Sequence, residues 1–362
     1  MYRYIITCVG VVFCVISQIQ ACTAFVLQNE NSPVLAKNFD WNLDIGYLMT
    51  NKRGVAKTAL IDEQNEQPAR WVSKYGSVTF NQISKEFPQG GMNEEGLVIE
   101  SLNLLETKYQ AKDERPGLME LQWIQYQLDN HKSVQEVIDS HKNVRITQNK
   151  ANLHFIVCDQ YGEMLIIEYI NGELIYHRGF NLSIPVIANS TYKDSLKAYQ
   201  RVIDSKKSLV LNNRSLERFV TTACKLEDKS LGLFTEKIPD VAFDILSYSL
   251  VSTYRRDTCW SIVYDIQNRT IHFNSLSAKN VKMIDFADLE FGKNAKALVL
   301  DVNISSNENI KTQWMDYTTS LNRDLVRTAL NHIILPGLKN NKLPDSVIEG
   351  LAMYPELIES TQ

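Results

Sequence analysis

The chain has 362 residues, of which 44% are hydrophobic and 22% charged, with 38 basic against 42 acidic side chains and a formal net charge of −4. That length carries one large domain or two ordinary ones with a full-sized core, and the lack of a basic excess argues against a nucleic-acid partner. Six scattered cysteines, two of them (Cys8 and Cys14) near the N-terminus, also exclude a disulfide-built scaffold.

Residues 1–21 differ from everything that follows. Arg3 is their sole charge, "YIITCVGVVFCVI" is an apolar run of signal-peptide length, and "SQIQA" closes it with small and polar residues. Thirteen largely apolar residues are too few to cross a bilayer core of about 30 Å, so the reading is an export signal and not a membrane anchor. Cleavage after Ala21 would leave 362 − 21 = 341 residues starting at Cys22, in the periplasm or outside the cell.

After the leader, "CTAFVLQ" and "PVLAKNFDW" flank the turn cluster "NENS" and predict a β-hairpin. Strand-like runs continue at "GYLMT", "SVTFN", "GLVIESLNL", "LHFIVCD", "EMLIIEYI", "ELIYHRG" and "IPVIANS". Within them, "LMELQWIQYQL" places Leu118, Leu121, Ile124 and Leu128 at helical spacing, and "SVQEVIDSH" adds Val134, Val137 and Ile138. A second helical group covers "YKDSLKAYQRVI", "SLERFVTTACKL" and "VAFDILSYSL". Strands resume at "CWSIVYD" and "TIHFNS", and the chain closes with the helical "WMDYTTSLNRDLVRTALNHII" and a polar tail. Blocks of strands alternating with blocks of helices predict an α+β fold of sheets packed face to face under helices. No linker or repeat divides residues 22–362, which predicts one domain.

Cys22 is the first candidate for chemistry. A cysteine at a chain terminus carries its own base, because an α-amino group with a pKa of about 7.7–8.0 is partly neutral near physiological pH. Two other fates stand beside that one: an ordinary buried strand cysteine, or a lipidated first residue whose amine is blocked. Asp40, on the second hairpin strand, returns beside Cys22 and can hold the terminal ammonium. Lys37 falls on the opposite pleat from Asp40, so a pocket shared by the two needs a bend or bulge. Asn103 and Asn189 each end a strand, where asparagine serves either as turn residue or as an oxyanion donor. Arg218 lies about 200° around its helix from Leu216, two residues at 100° each, which predicts a solvent-facing side chain. Cys259 sits in an apolar strand and reads as structural. The histidines, His154 and His272 among them, show no metal-ligand spacing, and no phosphate or dinucleotide fingerprint is present, so neither metal nor cofactor is expected.

Taken in order, "ACTAF", "AKNFDW", "GGMNEEGLVIESLN", "ANSTY", "SLERFV" and "TCWSIVYDIQNRTIHF" resemble the choloylglycine hydrolase family of bile salt hydrolases and penicillin V acylases, over most of residues 22–275. The resemblance implies an αββα four-layer sandwich of the N-terminal nucleophile hydrolase type. It implies Cys22 as nucleophile, its amine as base, Asp40 as the orienting carboxylate, Asn103 and Asn189 as the oxyanion pair, and Arg218 close to the nucleophile. The family has an arginine where this chain has Lys37, a charge without the planar fork. The interval from Asn189 to Arg218 lacks the Gly- and Pro-rich loop of many members, so the family's tetramer and substrate pocket do not carry over directly; a homo-oligomer stays an open expectation. The expected activity is that of an exported amidase on a small N-acyl substrate such as a conjugated bile salt, penicillin V or an acyl-homoserine lactone. The alternative is a lipid-anchored, non-enzymatic surface protein built on the same fold. Sequons at Asn181, Asn189, Asn213, Asn268 and Asn303 would matter in a eukaryotic secretory pathway, where glycosylation of Asn189 would block its role; bacterial export is the more coherent expectation.

Overall fold

The computed structural model describes residues 21–28, 32–61, 66–147, 151–205, 213–230, 237–250, 252–253, 256–305, 310–334 and 344–359. The predicted leader, apart from Ala21, lies outside them.

Among the described residues, two large antiparallel sheets account for most strands. The first holds β1 (Thr23–Leu27), β2 (Val34–Trp41), β14 (Val186–Ile187), β15 (Ser252–Thr253), β16 (Arg256–Asp265), β17 (Thr270–Ser275) and β18 (Lys282–Asp285), in the order β14-β1-β2-β16-β17-β18 with β15 paired to β16. The second holds β3 (Tyr47–Asn51), β6 (Ser77–Asn81), β7 (Gly90–Asn93), β8 (Val98–Asn103), β11 (Leu153–Cys158), β12 (Met164–Ile170), β13 (Glu173–His177), β19 (Leu298–Asp301) and β20 (Met315–Asp316), in the order β13-β12-β11-β8-β7-β6-β3-β19-β20. Short ribbons β4 (Ala56–Thr58) with β5 (Arg70–Val72), and β9 (Gly117–Leu118) with β10 (Arg145–Ile146), complete the strands.

Helices α1 (Glu120–Asn130) and α2 (Val134–Ser140) belong to the second sheet's outer side, where α1 packs on β7 and β8. Helices α3 (Tyr192–Ser205), α4 (Arg214–Ser230) and α5 (Ile238–Ser247) cover the first sheet, with α4 on β1 and β14 and α5 on β2 and β16. The two sheets meet through Phe80 of β6, whose ring lies 5.9 Å from Trp260 and 6.3 Å from Tyr264 of β16. The order helix, sheet, sheet, helix is the expected αββα sandwich.

This layering explains why the central strands lack an alternating pattern. β2, β8 and β11 are buried along their whole length, because one face meets the opposing sheet and the other a helix. Any polar residue on them is therefore dry and needs a partner. The predicted hairpin forms with Thr23 opposite Asn38 and Ala24 opposite Lys37.

The polar tail is corrected: residues 345–359 form helix α7, which packs against α6 (Thr319–Ile334). Its Val347, Ile348, Leu351 and Tyr354 are buried at helical spacing, a stripe that the polar residues preceding it in sequence disguised. No helix among the described residues is long and apolar enough to cross a membrane.

Candidate active site

Strand alternation sorts the site into two faces. On β2, Asn38 points to the helical layer, where its Nδ2 donates to Leu246 O of α5 at 2.9 Å. Lys37 points the other way, between the sheets, where its Nζ meets Glu100 of β8 at 2.5 Å with both side chains 1% exposed. Tyr264 donates to the same carboxylate at 2.5 Å. Pairing of Ala24 with Lys37 puts Cys22, two residues before Ala24, on this inter-sheet face.

Cys22 is fully buried. Burial pushes its thiol up to about 12; Lys37, the Asp40 N–H and Arg218 pull the other way, and the Asp40 carboxylate adds to the rise. A thiol of that kind holds roughly one thiolate in 10⁴ at pH 8, since 12 − 8 is four decades, so it needs a base at hand. With Ala21 attached, the nitrogen of Cys22 is an amide and offers none.

The charges of Lys37 and Asp40 both act on Cys22. β2, which carries the two residues, is itself continuous; the register shift lies on the neighbouring strand β16, a bulge between Thr258 and Trp260 opposite Phe39 and Asp40. Thr258 Oγ1 donates to Asp40 Oδ1 at 2.6 Å from that bulge. Cys259, inside it, is buried, and its Sγ contacts Trp41 O at 3.4 Å, in keeping with a structural cysteine. Cys22, Cys158, Cys224 and Cys259 are all free thiols.

Arg218 corrects the helical arithmetic. It is 9% exposed, because α4 lies in a groove against β1 and β14 and the flank opposite Leu216 is covered as well. Its Nε donates to Thr23 Oγ1 at 3.0 Å, and its Nη2 donates to Asn189 Oδ1 at 2.7 Å and to Cys22 O at 3.4 Å. The guanidinium can only donate, so Asn189 must present its oxygen there and its nitrogen to the other side. On that side, Asn189 Nδ2 donates to Asn103 O at 2.8 Å, which leaves its second hydrogen available. Asn103 Nδ2 is buried and has no hydrogen-bond partner among the described residues. Two amide donors thus stand beside each other, held from the helix by Arg218 and from the second sheet by the end of β8.

Thr23, Thr258, Glu100, Tyr264 and Ser215 complete the surroundings, and sequence reasoning singled out none of them. Glu100 carried a signal: a carboxylate in the middle of the apolar run "GLVIESLNL" has to be paired if that run is buried. Among the described residues, no group of three or more His, Cys, Asp or Glu side chains is arranged to hold a metal ion. A buried thiol, a pair of amide donors and an adjacent cation are the groups that acyl transfer uses.

Comparison with known proteins agrees. The family model for linear amide C–N hydrolases of the choloylglycine hydrolase family matches residues 22–239. Penicillin V acylase from Pectobacterium atrosepticum is 28% identical over 337 residues, 79% of this chain and 87% of its own. The solved penicillin V acylase from Agrobacterium tumefaciens superposes with a TM-score of 0.70 at 26% identity, covering 82% of this chain and 98% of its own. A variant of the conjugated bile acid hydrolase from Clostridium perfringens shares the fold, with a TM-score of 0.66 at 17% identity over 80% of this chain and 99% of its own.

Proposed function

The chain belongs to the choloylglycine hydrolase family and is a hydrolase of linear amide carbon–nitrogen bonds, and from that premise we propose that it is an exported N-acyl amidase with Cys22 as its N-terminal nucleophile. Removal of residues 1–21 converts the amide nitrogen of Cys22 into an amine. That amine takes the thiol proton as sulfur attacks the acyl carbon. The tetrahedral oxyanion is received by Asn103 and Asn189; the C–N bond breaks, and the amine returns the proton to the leaving nitrogen. Water then cleaves the thioester, the released acid leaves, and the thiol is restored. Asp40 orients the terminal amine, and Arg218 fixes Asn189 and the Cys22 carbonyl.

The observation that carries this reading is the orphaned Asn103 Nδ2, a buried donor with no hydrogen-bond partner among the described residues. A buried unmatched donor costs about 1–3 kcal/mol, and a transition-state acceptor gives it a purpose. The family match beginning at Cys22 supports the cleavage point. Penicillin V is the first substrate to assay, because it is the substrate named by the relatives at 28% and 26% identity.

The test is amine release from a panel of penicillin V, a conjugated bile salt and an acyl-homoserine lactone, together with the intact mass of the exported protein. The expected mass is that of an unmodified chain starting at Cys22, and Cys22→Ala should abolish turnover. Full turnover by Cys22→Ala, or acyl chains on Cys22, would overturn the mechanism; acylation would favour the lipid-anchored alternative.

A further inference from the structure

A buried histidine, a half-buried one and a buried carboxylate lie outside the chemistry described so far. β14 ends at Ile187, the last residue of that strand paired to β1, so the chain carrying Asn189 leaves the sheet without a ladder partner. Backbone groups on both sides of Asn189 are held by side chains instead. Ala188 O is bound by His154 Nε2 at 2.7 Å, Asn189 N–H by Ser215 Oγ at 2.7 Å, and Tyr192 N–H by Glu168 Oε1 at 2.8 Å.

A carbonyl only accepts, so His154 Nε2 carries its hydrogen. Its Nδ1 lies 3.5 Å from Glu168 Oε1, longer than a hydrogen bond. His177 Nε2 lies 2.9 Å from the other Glu168 oxygen. His154 and Glu168 are 0% and 2% exposed, so the arrangement is rigid and dry. It is also well placed: His154 neighbours Leu153, which pairs with Asn103 in the β8–β11 ladder. The strand that begins beside one donor, β11, therefore ties down the turn carrying the other.

We propose that His154, backed by Glu168, is a positioning residue for the oxyanion site, setting the height of the 188–192 turn and with it the amide of Asn189. This rests on the functional reading above. Three anchors in five residues on a turn without a ladder are more than packing requires, since an apolar residue at 154 would fill the space and leave only Ala188 O unpaired. A displacement of about 1 Å at a reacting group can cost about 10²-fold in rate, which is the scale at stake.

The test uses the mature protein with penicillin V as probe and compares His154→Leu with His154→Gln, whose amide can still donate to Ala188 O. His154→Leu should lower kcat about 10- to 100-fold with KM changed less than about threefold, because oxyanion contacts act in the transition state. His154→Gln should recover to within about fivefold of the parent, and the His154→Leu effect should shrink to less than about twofold when added to Asn189→Ala. Iodoacetamide should alkylate Cys22 at the parental rate in both variants. If His154→Leu is too unstable to purify, His154→Asn, whose amide falls short of Ala188 O, is read by the same criteria. Parental kcat in His154→Leu, equal loss in His154→Leu and His154→Gln, or an undiminished effect in the Asn189→Ala background overturns the proposal. Should Asn189→Ala alone keep full kcat, the oxyanion assignment fails and takes the proposal with it, an outcome distinct from failure at His154 only.

Discussion

Asn103→Ala separates catalysis from stability more cleanly than any other change in this site. The side chain is 4% exposed and its Nδ2 has no partner among the described residues, so that donor has no hydrogen bond there to lose. Relief of the unmatched donor returns about 1–3 kcal/mol, against a packing loss of similar size from the deleted atoms, and the net should fall within about 1 kcal/mol of zero. Catalysis should suffer differently: loss of one oxyanion donor costs about 10²–10³-fold in kcat, or about 2.7–4 kcal/mol. Asn189→Ala is the control. It should lose a comparable factor in kcat, yet it also breaks the bonds to Arg218 at 2.7 Å and to Asn103 O at 2.8 Å. With one charged and one neutral hydrogen bond gone, about 2–4 kcal/mol of stability should go with them. Steady-state kinetics on penicillin V and urea unfolding of both variants make the comparison. If Asn103→Ala keeps kcat within about threefold, or if it destabilises as much as Asn189→Ala, the assignment of an idle donor to the transition state is wrong.

Arg218→Lys should be nearly as damaging as Arg218→Ala, losing more than about 10²-fold in kcat and about 2–4 kcal/mol in urea unfolding, because one ammonium cannot span Thr23, Cys22 O and Asn189 together. Glu100→Gln removes the anion paired to Lys37 and leaves that cation to act on Cys22 alone. An uncompensated positive charge favours the thiolate, so the acid limb of the kcat/KM profile should move down by about 1 pH unit, whereas a rise or no shift would show that Lys37 is not felt at the sulfur. Stability should fall on mild acidification. Burial pushes His131 and His141 down to about 4, well below the ordinary imidazole value of about 6.5. The unfolded chain takes up protons that the native one refuses, so stability is full above pH 6.5 and declines toward pH 4, at up to about 1.4 kcal/mol per pH unit for each histidine. His131→Gln should make that slope measurably shallower in urea titrations over this window, with His141 and His272, both also lowered by burial, supplying what remains.

Much of the frame was legible because burial on both faces writes itself into sequence as long apolar runs. "LHFIVCD" and "EMLIIEYI" read as strands and "LMELQWIQYQL" as a helix with one apolar face, and each is so in the structure. The hairpin from Cys22 to Asp40 was equally clear, since a turn cluster between two such runs fixes the register near its middle. Arg218 failed for a reason of scale: helical phase describes one helix, while the burial of its second flank depends on how deeply α4 seats against β1 and β14. The bulge at Thr258 and Trp260 was invisible, because it concerns pairing between segments more than two hundred residues apart in sequence. The residues around the cysteine, such as Glu100 and Tyr264, likewise became meaningful only once two sheets were stacked.

The stacking leaves a mark that sequence drift should follow. Lys37, Glu100 and Tyr264 share one closed space, and a Cβ on Gly90 would collide with the Glu100 carboxylate. Arginine at position 37 would bring a broader, forked head into a gap cut for a single ammonium. Relatives that carry arginine there should therefore differ at positions 90, 100 or 264 as well. The four positions are packed against one another, so a change at the first is expected to come with changes at its partners.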